Sequence, residues 1–222
     1  MSIIRSTPET ETEDHIKGTL SKWFNIYFEV SGVHALTKRK KRIDFILCPK
    51  QVVLDSGLPN IPIGLELKTF KPLDGNKKQV IEVCKQAIDY RYTQFKMKSG
   101  KHFLPLILIY PPASHYLTNP PQEEGRFPSS DNESFQQGFH YLLSRLLGKF
   151  FIGELDLDGD IGFKIILCGS DYFVWKDNRG KRLNMNWGFE KYEELKKEII
   201  SKNLSGDEYE NEILKIVNLL GI

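Results

Sequence analysis

The chain has 222 residues, 40% of them hydrophobic and 27% charged, which provides length for a buried core and excludes a largely disordered or low-complexity chain. The formal net charge of +2 gives by itself no reason to expect a polyanionic partner. That total hides a polarised chain: residues 1–112 hold 18 Lys and Arg against 11 Asp and Glu, residues 113–222 hold 13 against 18, and an asymmetry of +7 and −5 hints at a nucleic-acid-facing half.

Ser6-Thr7-Pro8-Glu9 has the form of a capping box, in which Ser6 caps and Glu9 reaches back. Acidic Glu9, Glu11, Glu13 and Asp14 suit the positive end of a helix, and Ile16, Leu20, Trp23, Phe24 and Tyr27 follow at helical spacing, so a helix is predicted over about 7–28. Three strands are expected next. One is weak, over residues 32–37. A stronger one covers Arg42 to Cys48, and the third covers Ile63 to Phe70, after a loop from Gln51 to Pro62. Val80, Val83, Cys84, Ala87, Ile88 and Arg91 predict a second helix over 77–96. Phe103 to Tyr110, a continuous apolar run, suits a strand buried on both faces. The order α-β-β-β-α-β makes this a mixed α/β core over residues 1–112.

Residues 113–132 are rich in Pro, Ser and Asn and read as a long surface loop. Beyond it we expect a helix over 135–149 and a hairpin from 151–157 to 161–167 across Asp158-Gly159. A strand over 172–176 and helices over 189–202 and 207–220 complete a C-terminal elaboration (113–222) packed on the same domain. Tyr172, Phe173 and Trp175 are expected to fill a core. The three cysteines are scattered, which argues against a disulfide framework or zinc site and fits a cytoplasmic protein. Met1 to Arg5 lacks a signal-peptide stretch, and no apolar run is long enough to span a bilayer, so no membrane partner is expected.

Two carboxylates and a lysine interrupt the apolar strands. With alternation of period two, Glu66 and Lys68 share a face opposite Leu65 and Leu67, and Asp44 lies opposite Ile43, Phe45 and Leu47. If the strands pair, Asp44 meets Glu66 and Lys68. Charges in such strands are costly unless paired or metal-bound, and neighbouring carboxylates repel unless a cation neutralises them. Mg²⁺ suits two carboxylates completed by water and phosphate oxygens. It activates water and stabilises phosphoryl charge, and Lys68 is expected to orient the attacking water or to stabilise the transition state electrostatically.

Asp44, Glu66-Leu67-Lys68 and Gln86-Ala87-Ile88-Asp89-Tyr90 together resemble the PD-(D/E)XK nuclease superfamily, in its RecB-like Gln-x-x-x-Tyr branch. The resemblance covers roughly residues 7–112 and implies a restriction endonuclease-like core with its site on the second and third strands. It implies a Mg²⁺- or Mn²⁺-dependent hydrolase of phosphodiester bonds. DNA would be the partner, endonucleolytic cutting the action, and 5′-phosphate and 3′-hydroxyl ends the products. Many relatives act as dimers. Carried over by residue, Asp44, Glu66 and the Leu67 carbonyl would be metal ligands, Lys68 the motif lysine, and Gln86 and Tyr90 supporting residues on one helix face. Glu13 best matches the first-helix acid, with Glu9 its competitor. Ile43 stands where the motif proline would be. Two alternatives stay open: a catalytically silent module binding nucleic acid or protein, and an RNA-directed nuclease.

Glu194-Leu195-Lys196 repeats the tripeptide within a helical run, where it is expected to be a solvated face. Lys38-Arg39-Lys40-Lys41-Arg42 leads into the Asp44 strand. It reads as a phosphate-backbone contact, a solvated turn or a nuclear-localisation signal. Asp156-x-Asp158-x-Asp160 is not a calcium loop, because its sixth and twelfth positions are Ile161 and Leu167. None of the five histidines shows metal-ligand spacing.

Overall fold

A computed structural model describes residues 9–68, 76–112, 144–167, 170–182, 189–202 and 204–219. Helix α1 (Glu9–Leu20) is followed by a hairpin of β1 (Phe24–His34) and β2 (Lys40–Pro49), the single turn α2 (Gln51–Leu54) and β3 (Ile63–Leu67). Helix α3 (Asn76–Arg91) leads into a second hairpin, β4 (Thr93–Met97) and β5 (Gly100–Phe103), before β6 (Leu106–Tyr110). After the short helix α4 (residues 144–149) come β7 (Ile152–Asp158), β8 (Gly162–Leu167), β9 (Ser170–Lys176) and β10 (Arg179–Arg182). Helices α5 (Phe189–Ser201) and α6 (Gly206–Leu219) follow.

The ten described strands form one sheet in the order β10-β9-β8-β7-β6-β3-β2-β1-β4-β5. Only β3 with β6 and β6 with β7 are parallel. The fold is mixed α/β, and the expected element order α-β-β-β-α-β is present with the β4–β5 hairpin inserted before β6. Because β6 pairs with β7, strands from the C-terminal half continue the same sheet.

The first helix is shorter than its periodicity suggested. From Phe24 the chain is a strand that pairs with β2 along most of its length, from Phe24 opposite Pro49 to Val33 opposite Lys40. Trp23, Phe24 and Tyr27 fit a helical stripe and a strand equally, and the long pairing partner decides between them. The weak strand expected at 32–37 is the end of this one, while residues 35–37 turn. The Ser6-Thr7-Pro8 part of the expected cap lies outside the described residues.

Helix α3 likewise stops at Arg91. The Thr93 hydroxyl donates to the Asp89 carbonyl at 2.9 Å, and β4 then pairs with β1. The apolar run from Phe103 is broken at Leu104-Pro105, proline having no N–H for a ladder. Its remainder is buried on both faces: Leu106 and Leu108 pack with the α1 side, Ile107 and Ile109 with the α3 side.

The β7–β8 hairpin is present with Asp158 opposite Gly162, so its connection is residues 159–161, one longer than an Asp-Gly two-residue turn. Asp156, Asp158 and Asp160 lie in and beside this hairpin and pair with Lys164, Lys176 and Lys22 respectively. The unforeseen β9–β10 hairpin turns at Asp177 and Asn178, both at positive φ (52° and 60°), as a tight primed turn requires. Phe173 and Trp175 are buried, as expected. The loop expected at 113–132, most of the helix expected at 135–149, and Cys168 fall outside the described residues. No described helix is long and apolar enough to cross a membrane.

Two cores sandwich the sheet. On one face α1 contributes Ile16 and Leu20 against Phe45, Leu47, Leu65 and Leu67. On the other, α3 contributes Val83, Ala87 and Tyr90 against Ile43, Ile46, Ile107 and Ile109, joined by Ile199 of α5 and Tyr209 of α6.

Candidate active site

The middle strands set the geometry. In β3, Leu65 and Leu67 enter the α1-side core, which turns Glu66 to the α3 side. Gly64 makes room beside it: a Cβ there would lie 2.7 Å from both Ile43 Cδ1 and Ile107 Cδ1. In β2 the alternation assumed from sequence does not hold. Phe45 and Leu47 pack on the α1 side, but Ile43 packs on the α3 side. β1 makes the same change between Phe28, which meets the Phe45 ring, and Val30, with Glu29 between them at φ 48°. Asp44 therefore sits where the strand's facing reverses.

β2 and β3 pair antiparallel, with Phe45 opposite Leu65, so Asp44 comes level with Glu66 one step further on. The Asp44 Oδ2 accepts the Leu67 N–H at 2.7 Å. Glu66 is only 2% exposed, with Lys68 Nζ 2.6 Å from its Oε1. Its Oε2 is buried and makes no hydrogen bond of regular geometry, but the Tyr90 hydroxyl lies close enough to favour its charged form. Burial, and then the charge of Asp44, push the Glu66 carboxyl up to about 7 against the partial offset of Lys68 and the Tyr90 hydroxyl.

Helix α3 reaches this group through Tyr90, whose hydroxyl donates to the Arg42 carbonyl at 2.7 Å and accepts from Gln86 Nε2 at 2.5 Å. Burial and the nearby Glu66 charge raise the Tyr90 phenol well above its ordinary value. Gln86 and Tyr90 thus brace the backbone of β2 two residues before Asp44.

Asp44, Glu66, Leu67, Lys68, Gln86 and Tyr90 are brought to one place. Glu13 is not joined to them: its described ion-pair partner is Lys17, at 3.7 Å, and α1 packs on the opposite face of the sheet. The side chain of its competitor Glu9 lies outside the description. Among the described residues no three His, Cys, Asp or Glu form a metal cage. Two carboxylates remain, one of them buried, and this all-oxygen donor set fits a hard divalent cation completed by water and substrate oxygens.

The basic run divides. Lys41 is tied to Asp89 of α3 at 2.5 Å, and Arg42 to Glu29 at 2.9 Å. Lys38 Nζ donates to the Ala35 carbonyl. Arg39 and Lys40 are exposed and make no ion pair with a described residue.

The second Glu-Leu-Lys copy is not a solvated face throughout. Glu194 is exposed, but Lys196 is buried, 2.5 Å from Glu193 Oε2. Glu193 also receives Arg91 at 2.6 Å, and the Arg91 guanidinium donates to the Phe150 and Leu104 carbonyls. The buried charges of Arg91 and Lys196 converge on this carboxylate, and side-chain bonds invisible to helical periodicity tie α5 to the core.

One neighbour was missed. Glu154 of β7 is buried and opposite Ile109, which is itself opposite Glu66, so a further carboxylate stands level with the site two strands away. Burial first, then the Glu154 charge, push the Cys84 thiol up to about 12. The signal was present in sequence, because Gly153-Glu154-Leu155 interrupts an apolar strand as Glu66 does.

No protein-family model, curated protein or solved structure matches the chain.

Proposed function

We propose that the protein is a metal-dependent nuclease of the PD-(D/E)XK type, with a restriction endonuclease-like core, hydrolysing phosphodiester bonds of DNA. The observation that carries this reading is the buried Glu66 carboxylate, held level with Asp44 and followed two residues on by Lys68. Its place on the second and third strands of an α-β-β-β-α-β order supports the same reading, as does the Gln86–Tyr90 brace from the next helix.

Asp44 and Glu66, with the Leu67 carbonyl, would hold Mg²⁺ or Mn²⁺. A bound ion there supplies charge neutralisation and an activated water. Asp44 additionally fixes the Leu67 peptide through its N–H, and the Tyr90 hydroxyl fixes the Arg42 carbonyl on the other side of Asp44. Lys68, half-buried and beside Glu66, places a positive charge where a phosphoryl group gathers negative charge.

A silent binding module is favoured by one observation, the Lys68 ion pair, which partly neutralises Glu66 without a metal. The two readings separate in a digestion of linear, circular and branched DNA with Mg²⁺, alongside an EDTA control and a matched RNA. Metal-dependent DNA cleavage supports the nuclease. Its absence with pure folded protein overturns it, and faster loss of RNA reassigns the substrate.

A further inference from the structure

The β4–β5 hairpin has no counterpart in the α-β-β-β-α-β order, and its placement gives it a use. Paired residues on neighbouring strands share a face. Arg42 is opposite Ser31, Gly32 is opposite Phe95, and Lys96 is opposite Lys101. One step beyond Gly32 and Phe95, Lys96 comes level with Ser31. A row Arg42, Ser31, Lys96, Lys101 therefore crosses β2, β1, β4 and β5. Next to it runs Lys40, Val33, Gln94.

The opposite side of these strands is core: Phe95 and Ile43 are buried, and Lys41 is tied down to α3. The row itself is open. Ser31, Lys40, Gln94, Lys96 and Lys101 are exposed, Val33 is 46% exposed, and Lys98 stands at the hairpin tip. Lys40, Lys96, Lys98 and Lys101 make no ion pair with any described residue, and Glu29, already held by Arg42, is the only acid among residues 24–34, 38–42 and 93–103.

We infer that this exposed face of β2, β1, β4 and β5 docks the sugar–phosphate backbone of a nucleic acid duplex, with Lys96, Lys98 and Lys101 extending the contact that begins at Lys40. The four strands span about 14 Å, and alternate residues along a strand are about 7 Å apart, a spacing at which exposed ammonium groups reach successive phosphates of one backbone. The row begins two residues from Asp44 but faces away from α3, whereas Glu66 turns towards α3, so the surface is a binding face alone. The inference rests on the nuclease reading only for what is cut, since binding itself needs no metal.

The test is anisotropy of a labelled DNA duplex in EDTA, titrated at several salt concentrations, with wild type and the double variant Lys96→Ala/Lys101→Ala. Loss of two phosphate contacts lowers the slope of log K against log salt by about 2, and weakens binding several-fold or more at low salt. A Lys96→Arg/Lys101→Arg variant retains the wild-type slope and controls for folding. An unchanged slope in the alanine variant, or no duplex binding by wild type, overturns the inference. Loss of adsorption to phosphatidylserine vesicles with DNA binding intact also overturns it, in favour of a membrane surface. Wild type that binds with the expected slope but cuts nothing in Mg²⁺ keeps this surface and removes the nuclease reading. Cutting with an unchanged slope does the reverse.

Discussion

Replacing Glu66 with Gln isolates a buried carboxylate beside Asp44. The side chain keeps its shape and loses its ionisation. In the folded metal-free protein the Glu66 carboxyl is pushed from its ordinary 4.5 to about 7, by burial first and Asp44 second. Folding therefore takes up a proton between those values, and the contribution of Glu66 to stability falls as pH rises through that window. The difference corresponds to about 3 kcal/mol. The assay is urea unfolding of wild type and Glu66→Gln in EDTA from pH 4 to pH 8. Stability of wild type relative to the variant is predicted to fall by about 3 kcal/mol across that range. Saturating Mg²⁺ at pH 8 should then restore wild type, by about 2.7 kcal/mol at a hundredfold excess over its dissociation constant, and do nothing for the variant. A difference that is flat or rises with pH would show that Lys68 already satisfies the carboxylate, and would refute the reasoning that the site needs a metal.

Tyr90→Phe removes the hydroxyl that links Gln86 to the Arg42 carbonyl. It should cost about 1–2 kcal/mol in urea unfolding and lower cleavage without changing the metal requirement. Glu193→Ala leaves the buried Arg91 and Lys196 without their shared carboxylate. Unfolding should show a loss of about 3–5 kcal/mol, and a change below about 1 kcal/mol would contradict the role given to this cluster in holding α5.

Much of the fold was legible because hydrophobic runs and turn residues are local signals. The β7–β8 hairpin, the apolar strand β6, the start of α3 and helices α5 and α6 follow from them to within a few residues. The misread pieces are those where a partner decides. The helices expected to run to 28 and to 96 give way at Phe24 and Thr93, where each segment finds a strand to pair with. The same holds at the site. Proximity of Asp44, Glu66 and Lys68 follows from spacing and an assumed pairing, and the geometry carries it. The reversal of facing at Asp44 could not be read, because it depends on β1 and β2 changing sides together at Glu29 and Asp44. Nor could the neutralisation of Lys41 and Arg42 by Asp89 and Glu29, or the burial of Lys196, since these are contacts between distant segments.

The central claim is that Asp44, Glu66 and Lys68 form a metal-dependent phosphodiesterase site. The most direct measurement is plasmid cleavage by wild type, Asp44→Ala and Lys68→Ala in Mg²⁺, with unfolding curves confirming that each variant is folded. Wild type is predicted to nick or linearise the plasmid in Mg²⁺ and not in EDTA, with both folded variants inactive. Wild-type-like cleavage by either variant, or a folded wild type that leaves DNA intact in Mg²⁺ and Mn²⁺, would contradict it.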